Sequence, residues 1–168
     1  MKLEILRECP DFLRDFLTYN ETIRVKSSRS VEGYYIDLRT FFRYLLLVRG
    51  NVPAGTEFNK IDISPVDTEL VKTVTISDLY GFMVYCKDEL NNNTATRARK
   101  TSTLRIFFKY MSVQTHRLET NPAELLESPK VKQSLPKHLT LENSLDLLNA
   151  VDGANERRDY CILTLFLN

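Results

Sequence analysis

An all-α fold is what three observations predict for this chain: a four-to-five-helix bundle, then a linker and the first helices of a second unit. Apolar residues recur at a spacing of three and four over several long windows, as the buried face of a helix requires. Ser, Thr or Asn stands before most of these windows, where a side-chain oxygen can accept a free backbone N–H of the first turn. No stretch makes a convincing strand of alternating apolar and polar residues.

The first helix is predicted at 11–19, with Phe12, Leu13, Phe16 and Leu17 on one face. The second starts with Ser28 or Ser30 as its N-cap. It turns Val31, Tyr34, Tyr35, Leu38, Phe41, Phe42, Leu45 and Leu46 inward and ends near Gly50. Residues 51–74 hold Pro53, Gly55 and Pro65 without clear periodicity, and read as a long loop with a short helical turn at 66–71. Thr75 or Ser77 caps a third helix with Leu79, Phe82, Met83, Cys86 and Leu90 inward, and the asparagines at 91–93 break it. Thr94 caps a fourth, with Ala98, Thr101, Leu104, Phe108 and Met111 on one stripe. Pro122 suits a first helical position and opens a short helix. Residues 128–137, with two prolines and three lysines, read as a linker. Thr140 caps a helix bearing Leu141, Leu145 and Leu148, which Gly153 ends, and a last helix runs from near Asn155 to Asn168. The expected division is 1–127, a linker at 128–139, and the start of a second domain at 140–168. The apolar run at 160–167 has nothing after it to pack against, so a longer protein is expected to continue from it.

Composition excludes several classes. With 43% hydrophobic and 27% charged residues, the chain is an ordinary globular one and not a disordered linker. Its three cysteines, Cys9, Cys86 and Cys161, are far apart and lack CxxC spacing. That argues against a disulfide framework or a zinc site and reads as reduced core thiols in a cytoplasmic protein. The beginning of the chain has acidic residues and no apolar core of a signal peptide, and the longest apolar run, 45–48, is far too short to cross a bilayer. No Gly-rich phosphate loop, paired carboxylates or Ser/His/Asp set is present, and His116 and His138 are isolated. No catalytic residue, metal, cofactor, small-molecule ligand or membrane partner is therefore expected.

Charge is the informative feature. The formal net charge is only +1, yet residues 24–49 carry six basic and two acidic groups, and 91–117 carry six basic and none acidic. Acidic segments alternate with these two, as suits a protein that meets a polyanion with one face. The fourth helix, T-A-T-R-A-R-K-T-S-T-L-R-I-F-F-K-Y at 94–110, interleaves the basic residues with an apolar stripe.

Several motifs in order resemble the N-terminal core-binding (SAM-like) domain of tyrosine recombinases, the Xer-type and phage-integrase family. At 30–45, S-V-E-G-Y-Y-I-D-L-R-T-F-F-R-Y-L is similar to that family's second helix. T-R-A-R-K at 96–100 and L-R-I-F-F-K-Y-M at 104–111 are similar to its fourth. N-P-A at 121–123, S-P-K at 128–130 and L-P-K-H-L-T at 135–140 resemble the turn and linker that lead to the catalytic domain, and 158–168 its first helix. The insert at 51–74 is longer than in the simplest members; it is acidic and is expected to lie away from DNA.

The resemblance implies double-stranded DNA as partner, clamped with the second and fourth helices across the major groove. Arg39 and Arg43, at i and i+4, lie on a face distinct from the Tyr34, Leu38 and Phe41 stripe. Arg97, Lys100, Arg105 and Lys109 can reach phosphates, and Thr94, Thr96, Ser102 and Thr103 can add short hydrogen bonds. Arg97 or Arg99 can instead read a guanine edge. Ser28 and Ser30 stand at a helix N-terminus, which favours anions, and Lys130, with Lys132 and Lys137, lies in the linker. The family's tyrosine nucleophile and its assisting residues would lie beyond Asn168. The complete protein would be a tetramer on paired sites and this fragment a monomer. Its role would be chromosome-dimer resolution, phage integration or transposon movement, and the lack of an arm-binding domain before residue 10 favours the first. The competing expectation is an all-α protein-interaction module whose 160–167 helix docks a partner.

Overall fold

The computed structural model describes residues 9–53, 55–130 and 139–167, and every regular element among them is helical. The chain divides into two units, Met1–Val131 and Lys132–Asn168. The linker motif at 135–138, with Lys132, Lys137 and His138, lies outside the described residues, as do residues 1–8.

In the first unit, α1 (Asp11–Thr22) follows Pro10 and buries Phe12, Leu13, Phe16 and Leu17. Helix α2 (Ser28–Val48) is capped by Ser27, whose hydroxyl accepts the Ser30 N–H at 3.2 Å. The cap thus lies one residue ahead of Ser28 and three ahead of Ser30, because Ser27 has the extended backbone a cap needs while Ser28 and Ser30 are already helical. Asn93 likewise replaces Thr94 as the cap of α5 (Thr94–Lys109), accepting from the Thr96 N–H at 2.8 Å. Thr75 does cap α4 (Ile76–Asp88), in a reciprocal capping box with Asp78. Residues 122–125 form turns rather than the short helix expected at Pro122.

Seven phenylalanines from four helices make the centre: Phe12 and Phe16, Phe41 and Phe42, Phe82, Phe107 and Phe108, all buried. They meet edge to face, as in Phe16–Phe107 at 5.4 Å and 90° and Phe41–Phe82 at 5.2 Å and 72°. Such pairs contribute about 0.5–1.5 kcal/mol beyond the area they bury. α2 and α4 approach closely at Gly81, where an added Cβ would run into the Tyr44 hydroxyl.

Residues 51–74 are more than a loop. They hold a 3-10 turn at Phe58–Lys60 and the short helix α3 (Thr68–Lys72), and they bury Ile61, Ile63, Val66, Val71 and Val74 in the same core. Their aliphatics follow neither a strand nor a helix period, so the pattern is invisible to periodicity. Past α5 the chain continues as a π turn, Tyr110–Gln114, with the Thr115 N–H on the Tyr110 carbonyl at 3.1 Å. Arg117 then ties the end of this turn to Asp15 of α1 at 2.6 Å.

In the second unit, α6 (Leu141–Asn149) is capped by Thr140, and α7 (Glu156–Leu167) follows. α6 stops at Asn149, ahead of Gly153, which sits in the connecting loop with φ 93. Cys161 is exposed here, whereas Cys9 and Cys86 are buried, so the expectation of three core thiols holds for two.

Candidate nucleic-acid interface

The basic helix α5 crosses α2 around a single carboxylate. Asp37, 2% exposed, receives Arg99 Nη1 at 2.5 Å and the Thr103 hydroxyl at 2.8 Å on one oxygen, and Lys100 Nζ at 3.2 Å on the other. Lys100 also lies 6.0 Å from the centre of the Phe82 ring. Two of the expected phosphate-facing residues are therefore inside: Lys100 is 5% and Thr103 1% exposed. Burying the ammonium is tolerable only because the carboxylate meets it there. A signal for this was present in the sequence. Lys100 stands three, four and seven residues before Thr103, Leu104 and Phe107, on the buried stripe of the helix.

Arg99 differs from its neighbour. Its side chain is half exposed, and Nη1 lies 3.9 Å from where a Cβ on Gly33 would stand. It marks the seam where the outward surfaces of α2 and α5 join. Further along α5, Ser102, Arg105 and Lys109 face solvent and line a groove of about 720 Å3 closed by the 119–124 turn, including Glu119 and Glu124. Neither Arg105 nor Lys109 makes an ion pair among the described residues. At the start of the helix Thr94, Thr96 and Arg97 are half-buried. Arg97 reaches the Thr94 hydroxyl at 3.5 Å, and its Nε is buried without a hydrogen-bond partner among the described residues.

On α2, Arg39 lies over the Tyr35 ring at 5.0 Å, and Arg43 Nε donates to the Ile61 carbonyl at 2.9 Å. Both line a niche of about 340 Å3 with Lys60, Ile61, Asp62 and Ile63. Asp62 accepts from the Ser64 hydroxyl and N–H, which lowers its carboxyl below the ordinary value, and Arg43 adds to this. The loop thus brings Lys60, absent from the expected set and paired with Glu57 at 3.0 Å, beside the two arginines. Ser28 and Ser30 are exposed at the start of α2, with Ser28 directed to Glu21 at 3.4 Å and Ser30 to Ser27 at 3.0 Å. Lys130 is exposed at the end of the first unit.

Burial pushes the Cys86 thiol up to about 11 despite Lys100 nearby, so it stays protonated and inert. No group of three or more His, Cys, Asp or Glu among the described residues can hold a metal ion. No helix among them is long and apolar enough to cross a membrane.

Fold and site together define an all-helical bundle that displays cations along two crossing helices. The sequence comparisons then say which family this is. The chain is 42% identical over 159 residues to the tyrosine recombinase XerC of Caldanaerobacter subterraneus subsp. tengcongensis, covering 95% of this chain and 45% of that protein. It is 31% identical over 157 residues to XerC of Natranaerobius thermophilus, covering 92% and 46%. It is 28% identical over 142 residues to the tyrosine recombinase XerD of Listeria monocytogenes serotype 4b, covering 84% and 41%. No protein-family model and no solved structure matches. The chain belongs to the Xer-type tyrosine recombinase family, and it spans less than half the length of these relatives.

Proposed function

We propose that this chain is the DNA-binding front part of a site-specific tyrosine recombinase and clamps duplex DNA on the joined outward surfaces of α2 and α5. The observation that carries the reading is Arg99, half exposed on α5 and beside Gly33 of α2, where the two basic segments meet. Arg99, Arg105 and Lys109 on α5, and Arg39, Arg43 and Lys130 elsewhere, would hold phosphates and set register. Thr94, Thr96, Arg97, Ser28 and Ser30 would contribute at the two helix starts. Lys100 and Thr103 would act from inside, by holding α5 on α2. Strand cleavage would belong to the part of the relatives that this chain does not span, so the chain alone would be catalytically inactive and monomeric. The complete protein would work in the cytoplasm as a tetramer on paired sites, in a role like chromosome-dimer resolution.

Titration of the chain against duplex DNA at rising salt tests this. The expected result is binding whose log affinity falls linearly with log salt, by about 0.9 per phosphate neutralised. Failure to bind at low salt, or a flat salt slope, would sink it.

A second reading has its own observation. Leu165 and Phe166 of α7 are 78% and 84% exposed, and Leu141 of α6 is 78% exposed. Under it the chain is a protein-interaction module, and Arg97→Ala with Arg105→Ala would leave partner capture intact.

A further inference from the structure

Successive residues of a helix turn by about 100°, so Arg29, Gly33, Ile36, Thr40 and Leu47 share the side of α2 opposite Leu38 and Leu45. The middle of this strip, Gly33, Ile36 and Thr40, is uncharged. Ile36 is 42% exposed midway along α2, whose other exposed apolar residues, Leu47 and Val48, stand at its end. The Thr40 hydroxyl donates to the Ile36 carbonyl at 2.7 Å, so what Thr40 has left to offer outward is a methyl group and an oxygen lone pair.

Arginines stand on both edges of the strip. On the α5 side stands Arg99, beside Gly33 and held by Asp37. On the other side Arg39, Arg43 and Lys60 line one niche with Asp62; Lys60 is also paired with Glu57 at 3.0 Å and Glu32 lies on the same flank of α2, so the two arginines are the cations this edge offers. An uncharged, methyl-bearing strip flanked by arginines suits a B-DNA major groove, which has base edges on its floor and phosphates along its walls. That groove is about 12 Å wide and admits one α-helix. Thymine is the base that offers a methyl group there, and apolar side chains and the threonine methyl are its usual contacts.

We propose that Ile36 and Thr40 read thymine methyl groups in the major groove, while Arg99 on one wall and Arg39 and Arg43 on the other hold the phosphates. This rests on the DNA-binding reading above. It also gives the 58–63 segment a place at the duplex, in contrast to the expectation that the insert lies away from it.

The test is selection from a randomised duplex pool by the full 168-residue chain, followed by affinity measurements on the selected sites. The wild-type chain is expected to enrich sites with thymine at one or two fixed positions. Replacing those thymines by uracil, which lacks the methyl, should weaken binding about fourfold for each methyl lost. Ile36→Ala, and Thr40→Ser, which removes the methyl and keeps the hydroxyl, should abolish the difference between thymine and uracil. Thr40→Val, which keeps a methyl, should preserve it. All three should keep the wild-type salt slope and melting temperature. Variants that select the same sites with the same thymine preference overturn the inference. So does a wild-type chain that binds with a full salt slope and treats thymine and uracil alike. A chain that binds no duplex at low salt overturns the DNA-binding reading itself, so the two failures are distinguishable.

Discussion

The two halves of α5 carry nearly the same charge and put it to opposite uses. In the first half, Arg99 and Lys100 converge with Thr103 on Asp37, and the charge is consumed in joining α5 to α2. In the second half, Arg105 and Lys109 open onto a groove and pair with nothing among the described residues. Position relative to the helix crossing makes the difference. A cation on the crossing side meets a buried carboxylate and becomes part of the core. One on the far side stays solvated and available to a polyanion. A count of basic residues therefore overstates the charge a helix presents, and Arg99, half exposed at the boundary, belongs to both halves.

Removing Asp37 should break this contrast with the largest effect. Asp37→Ala leaves Lys100 buried beside no counter-charge and should lower unfolding free energy by about 3–5 kcal/mol, read from a urea titration. Asp37→Leu combined with Lys100→Met should recover most of that loss, since an apolar pair of similar volume avoids the desolvation of both ions. Gly81→Ala probes the other crossing of α2, where sterics and not charge set the approach; it should cost about 1–3 kcal/mol by overpacking. Adding Tyr44→Phe should relieve it, because without the hydroxyl the nearest ring atom, Cζ, stands 3.7 Å from the new methyl.

A pH titration of stability should be smaller in effect and reports on burial rather than on ion pairs. Desolvation raises Tyr44, Tyr85, Tyr110 and Cys86 above their ordinary values of 10.0 and 9.0. Folding thus favours their neutral forms. Their contribution is fully present below those ordinary values and is lost as pH rises through the raised ones. Melting temperature should therefore fall on the alkaline side of 9.0. The smallest effect on stability should come from Arg105→Ala with Lys109→Ala, within about 0.5 kcal/mol. The same pair should reduce the salt slope of DNA binding by about 2, at roughly 0.9 per phosphate contact. Equal stability losses at Lys100 and at Lys109 would erase the distinction between the two halves.

Much of this was legible from residue order. The 3–4 period of Val31, Leu38, Phe41, Phe42 and Leu45 set α2, and Leu79, Phe82, Met83 and Cys86 set α4, because a helix that buries one face has few other ways to place them. The caps were legible to within one to three residues. Ser27, Ser28 and Ser30 are all chemically able to cap, and backbone dihedrals choose among them. The burial of Ile61, Ile63 and Val66 was not legible, since an irregular segment has no period to betray its inward side. Arg43 was placed correctly on α2, but its bond to the Ile61 carbonyl depends on a loop that returns from eighteen residues later.

By itself, the sequence determined the long helices, their buried stripes, the two basic segments and the family likeness, all of which are local or ordered along one chain. Tertiary structure alone decided that Lys100 meets the Asp37 carboxylate, that Lys60 joins Arg39 and Arg43, and that Arg99 lies at a seam between helices. The reason is physical. A side chain's charge is written in its residue type, but whether that charge faces a carboxylate or water depends on which distant element packs against it.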